Sequence, residues 1–292
     1  MQKKNTRDTH IYIANNAMAY IYQNIETSIN IDELALTFGV SKIHLHKIFK
    51  EQMGINIYES IKSIRLQKAS NLLLTNKYST ITEIMKMCGY SSQSSFIKAF
   101  KKRFEQSPTQ WRKGGYELYS NKILGNSLLL NSLPNFDESK VKIVKVASRP
   151  VYYLRQKGYI TQEAKQKWQQ LQAWAITNDL KDYEQIGIYH DNPAITPHKE
   201  CFYIAAISCD EQSKLENTKL PKNTFPGGLC AAFDIYGNEG EMGWFIKWAY
   251  HDWLPRSGFE TTTASSFVIM RKNHFLDGND IDATFYLPIK YV

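Results

Sequence analysis

The chain has 292 residues, 36 Lys and Arg against 28 Asp and Glu, and 43% hydrophobic residues, a length suited to two domains with separate cores rather than one small module. The net charge of +8 is not spread evenly: residues 1–120 hold 17 Lys and Arg against 9 Asp and Glu, whereas 121–292 hold 19 of each. A surplus confined to one segment is the footprint expected of phosphate binding, but on charge alone an ordinary solvated surface is the commoner source, and it takes a repeat in that segment to decide between them.

The polar start, MQKKNTRDTH, lacks the apolar core of a signal peptide, and no later run approaches a membrane span, so a cytoplasmic location is expected. A helix over Ile11–Asn24 carries Ile13, Ala17, Tyr20 and Ile21 on one side, for packing on the helical unit that follows it. Asp32 and Glu33 open the next helix, where carboxylates complement its positive end. After a turn, Leu45, Ile48 and Phe49 form a buried stripe, leaving Ile43, His46, Lys47 and Lys50 outward. Ile43 has two open roles, contact with a thymine methyl or a staple at the start of its own helix. His44 and His46 face different ways and are not expected to hold a metal. A linking helix, Tyr58–Leu74, turns Ile61, Ile64 and Leu72 inward, and Asn76–Thr80 is a polar break.

Residues 81–112, ITEIMKMCGYSSQSSFIKAFKKRFEQSPTQWR, read as helix, tight turn and second helix. Gly89 closes the first in a left-handed conformation and Ser91 or Ser92 caps the second. Phe96, Phe100 and Phe104 share the buried face, while Ser94, Lys98, Lys101 and Lys102 point away. Sliding the chain by fifty places Ile31 on Ile81, Glu33 on Glu83, Gly39 on Gly89 and Ser41 on Ser91; after one inserted residue Leu45 falls on Phe96 and Phe49 on Phe100. Two helix-turn-helix units, about 31–53 and 81–104, therefore stand in tandem and can address successive major-groove segments. On a lone helix such cations would be ordinary solvated charge; their recurrence on both units favours DNA. Pro108 and Trp111 close this end of the domain.

The runs SKIHLHKIFK (41–50) and GYSSQSSFIKAFKKRFEQSPTQWR (89–112) resemble the DNA-binding domain of the AraC/XylS transcription regulators. By that resemblance the base-reading positions are Ile43, His46 and Lys47 in the first unit and Gln93, Ser94, Ser95, Ile97 and Lys98 in the second, with Lys50, Lys101 and Lys102 beside them. Gln93 can pair bidentately with adenine or meet a phosphate. The resemblance also implies double-stranded DNA and RNA polymerase as partners.

Residues 114–138, rich in Gly, Ser and Asn, read as a linker whose Ile123–Leu133 stretch is apolar enough to dock. From 139 the texture becomes strand, helix, strand, strand, twice over, with Trp168, Leu171 and Trp174 matching Trp244, Lys247 and Tyr250 at helical spacing. The fold class is thus an all-α tandem helix-turn-helix domain (1–113) followed by an α+β domain of duplicated β-α-β-β units (139–292), both helices on one face and a groove between the halves. Trp168, Trp174, Trp244 and Trp248 belong to the core. Tyr153, Tyr189, Tyr203, Tyr236, Trp253 and Tyr286 lie on or near strand ends and are candidates to line the groove. Cys88, Cys201, Cys209 and Cys230 lack CxxC spacing and read as small core residues, so neither disulfide, metal nor cofactor is expected.

The patterns GIYHDNPAITPHKECFYIAAIS, WLPRSGFE and FYLPIK resemble the GyrI-like effector-binding domain, in which the groove takes bulky organic cations between aromatic rings and a central glutamate. Alignment of SSFVIMRK puts Phe267 on the family's aromatic and Val268 where the glutamate stands. Glu260 and Glu200 remain as other sources of an acid. Without one, the groove is expected to prefer a neutral or weakly polar aromatic or amphipathic effector. A hydrolase and a protein-sequestering module are the competing readings, but there is no nucleophile elbow, phosphate loop or paired His/Cys set, and no catalytic residue is assigned.

Overall fold

The computed structural model describes residues 2–124, 137–159, 161–192, 195–209, 220–271 and 280–292. The N-terminal part is helical: α1 (Gln2–Gln23), α2 (Ile31–Thr37), α3 (Lys42–Met53), α4 (Ile57–Thr75), α5 (Ile81–Met87) and α6 (Gln93–Phe104). Each helix-turn-helix begins and ends on local chemistry. Asn30 caps α2 and Ser41 caps α3 by accepting the His44 amide, while Thr80 and Glu83 form a reciprocal capping box on α5. Gly39 (φ 65°) and Gly89 (φ 71°) make the two turns. Ser92 caps α6, so Ser41 corresponds to Ser92 rather than Ser91: the inserted residue falls in the turn, ahead of the cap.

The two units have separate cores. Leu45, Ile48 and Phe49 pack with Ile13, Ala17 and Ile21 of α1, while Phe96, Phe100 and Phe104 pack with Trp111 and the second half of α4. Tyr20, expected on the packed side of α1, is instead exposed. The Trp111 indole N–H donates to the Ser70 carbonyl at 3.0 Å, which fixes the end of the tandem helix-turn-helix domain, the reader, on the linking helix α4. Pro108 is buried at the start of the turn that carries Trp111. Beyond it, α7 (Tyr116–Leu124) occupies the start of the expected linker and lays Tyr116 and Tyr119 on the second core. The rest of the predicted docking stretch, 125–133, lies outside the described residues.

The C-terminal part is one antiparallel sheet, β1 (Lys142–Val146), β2 (Arg149–Lys157), β3 (Glu184–Tyr189), β4 (Phe202–Ser208), β5 (Lys222–Phe225), β6 (Gly228–Asn238), β7 (Phe259–Thr261), β8 (Ser266–Met270) and β9 (Asp280–Tyr291). Its order is β1-β6-β9-β8-β3-β4-β2-β5, with β7 added to β9. The two halves, β2-α-β3-β4 and β6-α-β8-β9, meet at the β3·β8 pairing, where Gly187 faces Val268. Each half carries the strand that precedes the other at its edge: β1 on β6 and β5 on β2. Helices α8 (Thr161–Thr177) and α9 (Glu239–Trp248) cover one face, seating Trp168 and Leu171 on one half and Phe245 and Ile246 on the other. The opposite face, with Val151, Tyr153, Ile186, Ile188, Ile204 and Phe267, carries neither of these two helices.

That bare face is turned toward the reader. The Tyr153 hydroxyl donates to the Asn15 carbonyl and Arg155 Nε to Asn15 Oδ1, while Gln23 donates to Asn223. At the other end, Asn76 and Thr261 exchange two hydrogen bonds of 3.1 Å in a buried site, in the manner of paired strands. Ile195 is fully buried in the core of the second unit and Phe202 packs on that of the first.

Candidate functional site

Two surfaces carry chemistry. The first comprises the outer faces of α3 and α6. Ile43 is 83% exposed, so it projects into solvent instead of stapling its helix. Lys47 and Lys50 are exposed beside it, and His46 is half-buried with its ring 5.3 Å from that of Tyr58. On α6, Gln93, Ser94, Ser95, Lys98, Lys101 and Lys102 are exposed, while Ile97 is half-buried against the second core. The short Ser94 side chain lies 3.0 Å from the capping Ser92 hydroxyl. Lys102 alone of these also lines a cavity of about 540 Å³ between the reader and the C-terminal part. The remainder present cations and short polar groups on helices fixed by caps and aromatic packing, as entry into a major groove requires.

The second surface is a cavity of about 380 Å³ on the bare face of the sheet. Its floor is Val151, Tyr153, Ile188, Ile204, Phe225, Cys230 and Phe267, and the reader's α1 contributes Ala19, Tyr22 and Gln23 to its wall. Phe267 is the aromatic centre, meeting Phe225 edge-on at 4.3 Å and stacking on Tyr286 at 4.7 Å. Arg155 and His190 are the ionisable side chains other than Tyr and Cys that line it among the described residues; no Asp or Glu does. The His190 ring stacks on Tyr22 at 3.8 Å, and its Nδ1 lies 2.8 Å from the Ser265 hydroxyl. Burial, helped by the fields of Arg155 and Lys68, pushes the His190 imidazole well below its ordinary range and holds it neutral. Burial also raises Tyr22, with the Asp191 charge adding to it. Asp191, in the neighbouring wall, is pushed up to about 6 by burial, offset by the Phe202 amide it accepts at 2.6 Å.

A helix-turn-helix domain model matches residues 34–114, and the model of the GyrI-like small molecule binding domain matches residues 139–290, more than half of the chain. The probable transcription factor PqrA of Proteus vulgaris is 39% identical over 87 residues, 30% of this chain and 70% of that protein. The chain belongs to the AraC-type helix-turn-helix family and carries a GyrI-like domain. The xylose operon regulatory protein of Escherichia coli K12 is 38% identical over 96 residues, 33% of this chain, and the match spans only 24% of that relative's length. Among solved structures, the C-terminal domain of AraT, a response regulator from Geobacillus stearothermophilus, is 32% identical over 35% of this chain and 84% of that one, with a TM-score of 0.33.

In this AraC-type chain, strand alternation sorts the groove candidates. Tyr153 lines the cavity and Tyr286 lies on the same face behind Phe267. Tyr236 also follows the parity of that face but stands 76% exposed at the far end of β6. Tyr189, Tyr203 and Trp253 point the other way, into the helix-covered cores, where the Tyr203 hydroxyl accepts from the Trp168 indole at 3.1 Å. Val268 joins them: it is fully buried under α9, on the face of the sheet opposite this cavity. Glu260 and Glu200 do not replace it. Glu260, 2% exposed, accepts from the Tyr78 amide (3.0 Å), the Ser79 amide (3.1 Å) and the Ser79 hydroxyl (2.9 Å) and pairs with Lys290. Burial alone would raise its pKa, but these donors outweigh it and hold the carboxyl below the ordinary range. Glu200 faces Arg103 of α6 at 4.0 Å.

Tyr22, Arg155, His190 and Phe225 were not among the groove candidates of the sequence. Arg155 was within reach of sequence reasoning, because Val151, Tyr153 and Arg155 alternate along one strand and must share a face. Tyr22 was not, since nothing local says that α1 will cover the sheet. All four cysteines are buried and free, and among the described residues no group of His, Cys, Asp and Glu could hold a metal. No described helix is long and apolar enough to cross a membrane.

Proposed function

We propose that the protein is a sequence-specific DNA-binding transcription regulator whose GyrI-like domain senses a small molecule. The observation that carries this reading is the pair of exposed faces on α3 and α6, built on matching turns and joined by the single helix α4, in the segment that holds the whole net positive charge. Base readout falls to Ile43, His46, Lys47, Gln93, Ser94, Ser95, Ile97 and Lys98, and phosphate contact to Lys50, Lys101 and Lys102. RNA polymerase is the expected protein partner by family resemblance. The sensing role rests on the 380 Å³ cavity with aromatic walls, a size and lining that suit a small organic ligand.

The test is selection of bound sequences from random DNA, followed by mobility shift on the selected site with and without candidate ligands. Enrichment of a two-part site, its halves roughly 34 Å apart along the duplex, is the expected result. Recovery of unenriched DNA would reject sequence-specific reading, and unchanged affinity in the presence of a ligand shown to bind would reject sensing.

A further inference from the structure

The two reader units are joined twice, once by their own chain and once by the other domain. Helix α4 crosses between them, giving Ile61 and Ile64 to the first core and Leu66 and Leu72 to the second. Beside α4 the cavity of about 540 Å³ opens between Ile55 of the first unit and Ala99 and Arg103 of the second. A lone helix can curve, so it leaves the angle between the units compliant. The second connection is made by the segment between β3 and β4. Ile195 is fully buried in the core of the second unit, and Phe202, at the start of β4, packs on that of the first. Asn192 Nδ2 donates to Asn71 Oδ1 of α4 at 2.9 Å, and Glu200 faces Arg103 of α6 at 4.0 Å. This segment is itself tied down. The Tyr159 hydroxyl donates to the Asp191 carbonyl at 2.8 Å, the Tyr159 amide to the His198 carbonyl at 2.9 Å and the Gly158 amide to the Cys201 carbonyl at 2.7 Å, while the Asp191 carboxylate accepts the Phe202 amide at 2.6 Å. Two anchors carried on one hydrogen-bonded segment hold the two cores at a set distance and angle.

We infer that Ile195 and Phe202 are positioning residues through which the GyrI-like domain braces the two units and sets the spacing of half-sites that the protein accepts. This rests on the reading of α3 and α6 as paired DNA readers, through which both residues act. A two-part site is bound tightly only when the geometry lets both readers engage at once. With either anchor removed, the units adapt to more spacings, and each complex forfeits part of the gain from simultaneous binding.

The experiment uses the full chain and three kinds of duplex: the site selected from random DNA, that site with base pairs added or removed between its halves, and duplexes keeping one half only. Ile195→Ala and Phe202→Ala should each bind the selected site about tenfold more weakly and discriminate less between spacings, while binding single halves within about twofold of wild type. Because either change releases the same brace, the double variant should lose no more than the weaker-binding single one. A second measurement needs no DNA. Nitroxide labels on Glu51→Cys of α3 and Lys86→Cys of α5, both exposed positions in a chain whose own four cysteines are buried, should give one narrow inter-label distance in the otherwise wild-type protein and a broad distribution when Ile195→Ala or Phe202→Ala is added. An unchanged spacing preference, an equal loss on single halves and on the whole site, or a distribution as narrow as that of wild type would overturn this inference. Failure of the wild-type protein to select a two-part site would overturn the reading on which it rests, and the label distances would still decide whether the brace exists.

Discussion

Glu260 is the side chain whose replacement tests how the two parts of the chain are held together. It accepts three hydrogen bonds from Tyr78 and Ser79, just ahead of the α5 capping box, and one ion pair from Lys290, all at 2.9–3.1 Å. Hydrogen bonds to a charged group contribute about 1.5–3 kcal/mol each, but the freed amides are only partly buried and regain water, so Glu260→Ala should cost about 3 kcal/mol in all. For a chain of this size that corresponds to a melting midpoint lowered by roughly 6–12 °C. Glu260→Gln keeps an acceptor oxygen and loses the charge, and should cost about half as much. The pH dependence has a definite sign. The folded carboxyl titrates below the unfolded one, so the stabilisation is present in full above the unfolded value of about 4.3 and is lost as pH falls through the folded value. Denaturant titrations of wild type and Glu260→Gln should therefore be most separated at neutral pH and converge only as pH falls through the folded carboxyl's lowered value. A gap that persists at low pH, or a Glu260→Ala protein with unchanged stability, would refute the assignment of this carboxylate as the seal between β7 and the second reader unit.

Gly89 and Gly39 occupy matching turns with nearly equal φ, yet a Cβ at Gly89 would sit 2.5 Å from the Ile25 carbonyl and 2.7 Å from Arg65 Nη2, whereas Gly39 has open space. Gly39→Ala should cost about 1 kcal/mol from backbone strain alone and Gly89→Ala at least about 2 kcal/mol more, read by chemical denaturation; equal losses would contradict the difference in packing. Phe100→Ala should cost about 3–5 kcal/mol, because the ring is fully buried between Phe96, Phe104 and Trp111. On the selected operator, Lys98→Ala should lose about 1–3 kcal/mol and relax preference at one position, whereas Lys101→Ala should weaken all sequences alike and reduce the salt slope by about one unit. Loss of neither affinity nor preference in a mobility-shift titration would remove α6 from the groove.

Much of the reader was legible because its information is local. The spacing of Phe96, Phe100 and Phe104 assigns a buried face to any helix they occupy, and all three are fully buried. Gly39 and Gly89 sit where the turns need a left-handed residue, and Ser and Thr sit where helices begin. The outward cations are what remains once that face is fixed. In the second half, repetition of the β-α-β-β order was enough to give one antiparallel sheet with its two helices on a common face.

The sequence by itself thus determined the repeat, the elements and the sets of residues that share a face: Phe267 had to travel with Ile269, and Val268 with Met270, because strand parity is a property of the backbone. Which set meets the helices and which lines the cavity is decided by docking, through burial summed over many distant residues, and no single strand encodes it. That is why Val268 lies under α9 rather than in the groove, and why Tyr203 serves the core. The same holds for the acids. Glu260 and Glu200 read as ligand anchors until the end of α4 and the face of α6 were brought against them. Tyr22 became a cavity residue only because the uncovered face of the sheet, too apolar to be left in water, is closed by the reader's first helix.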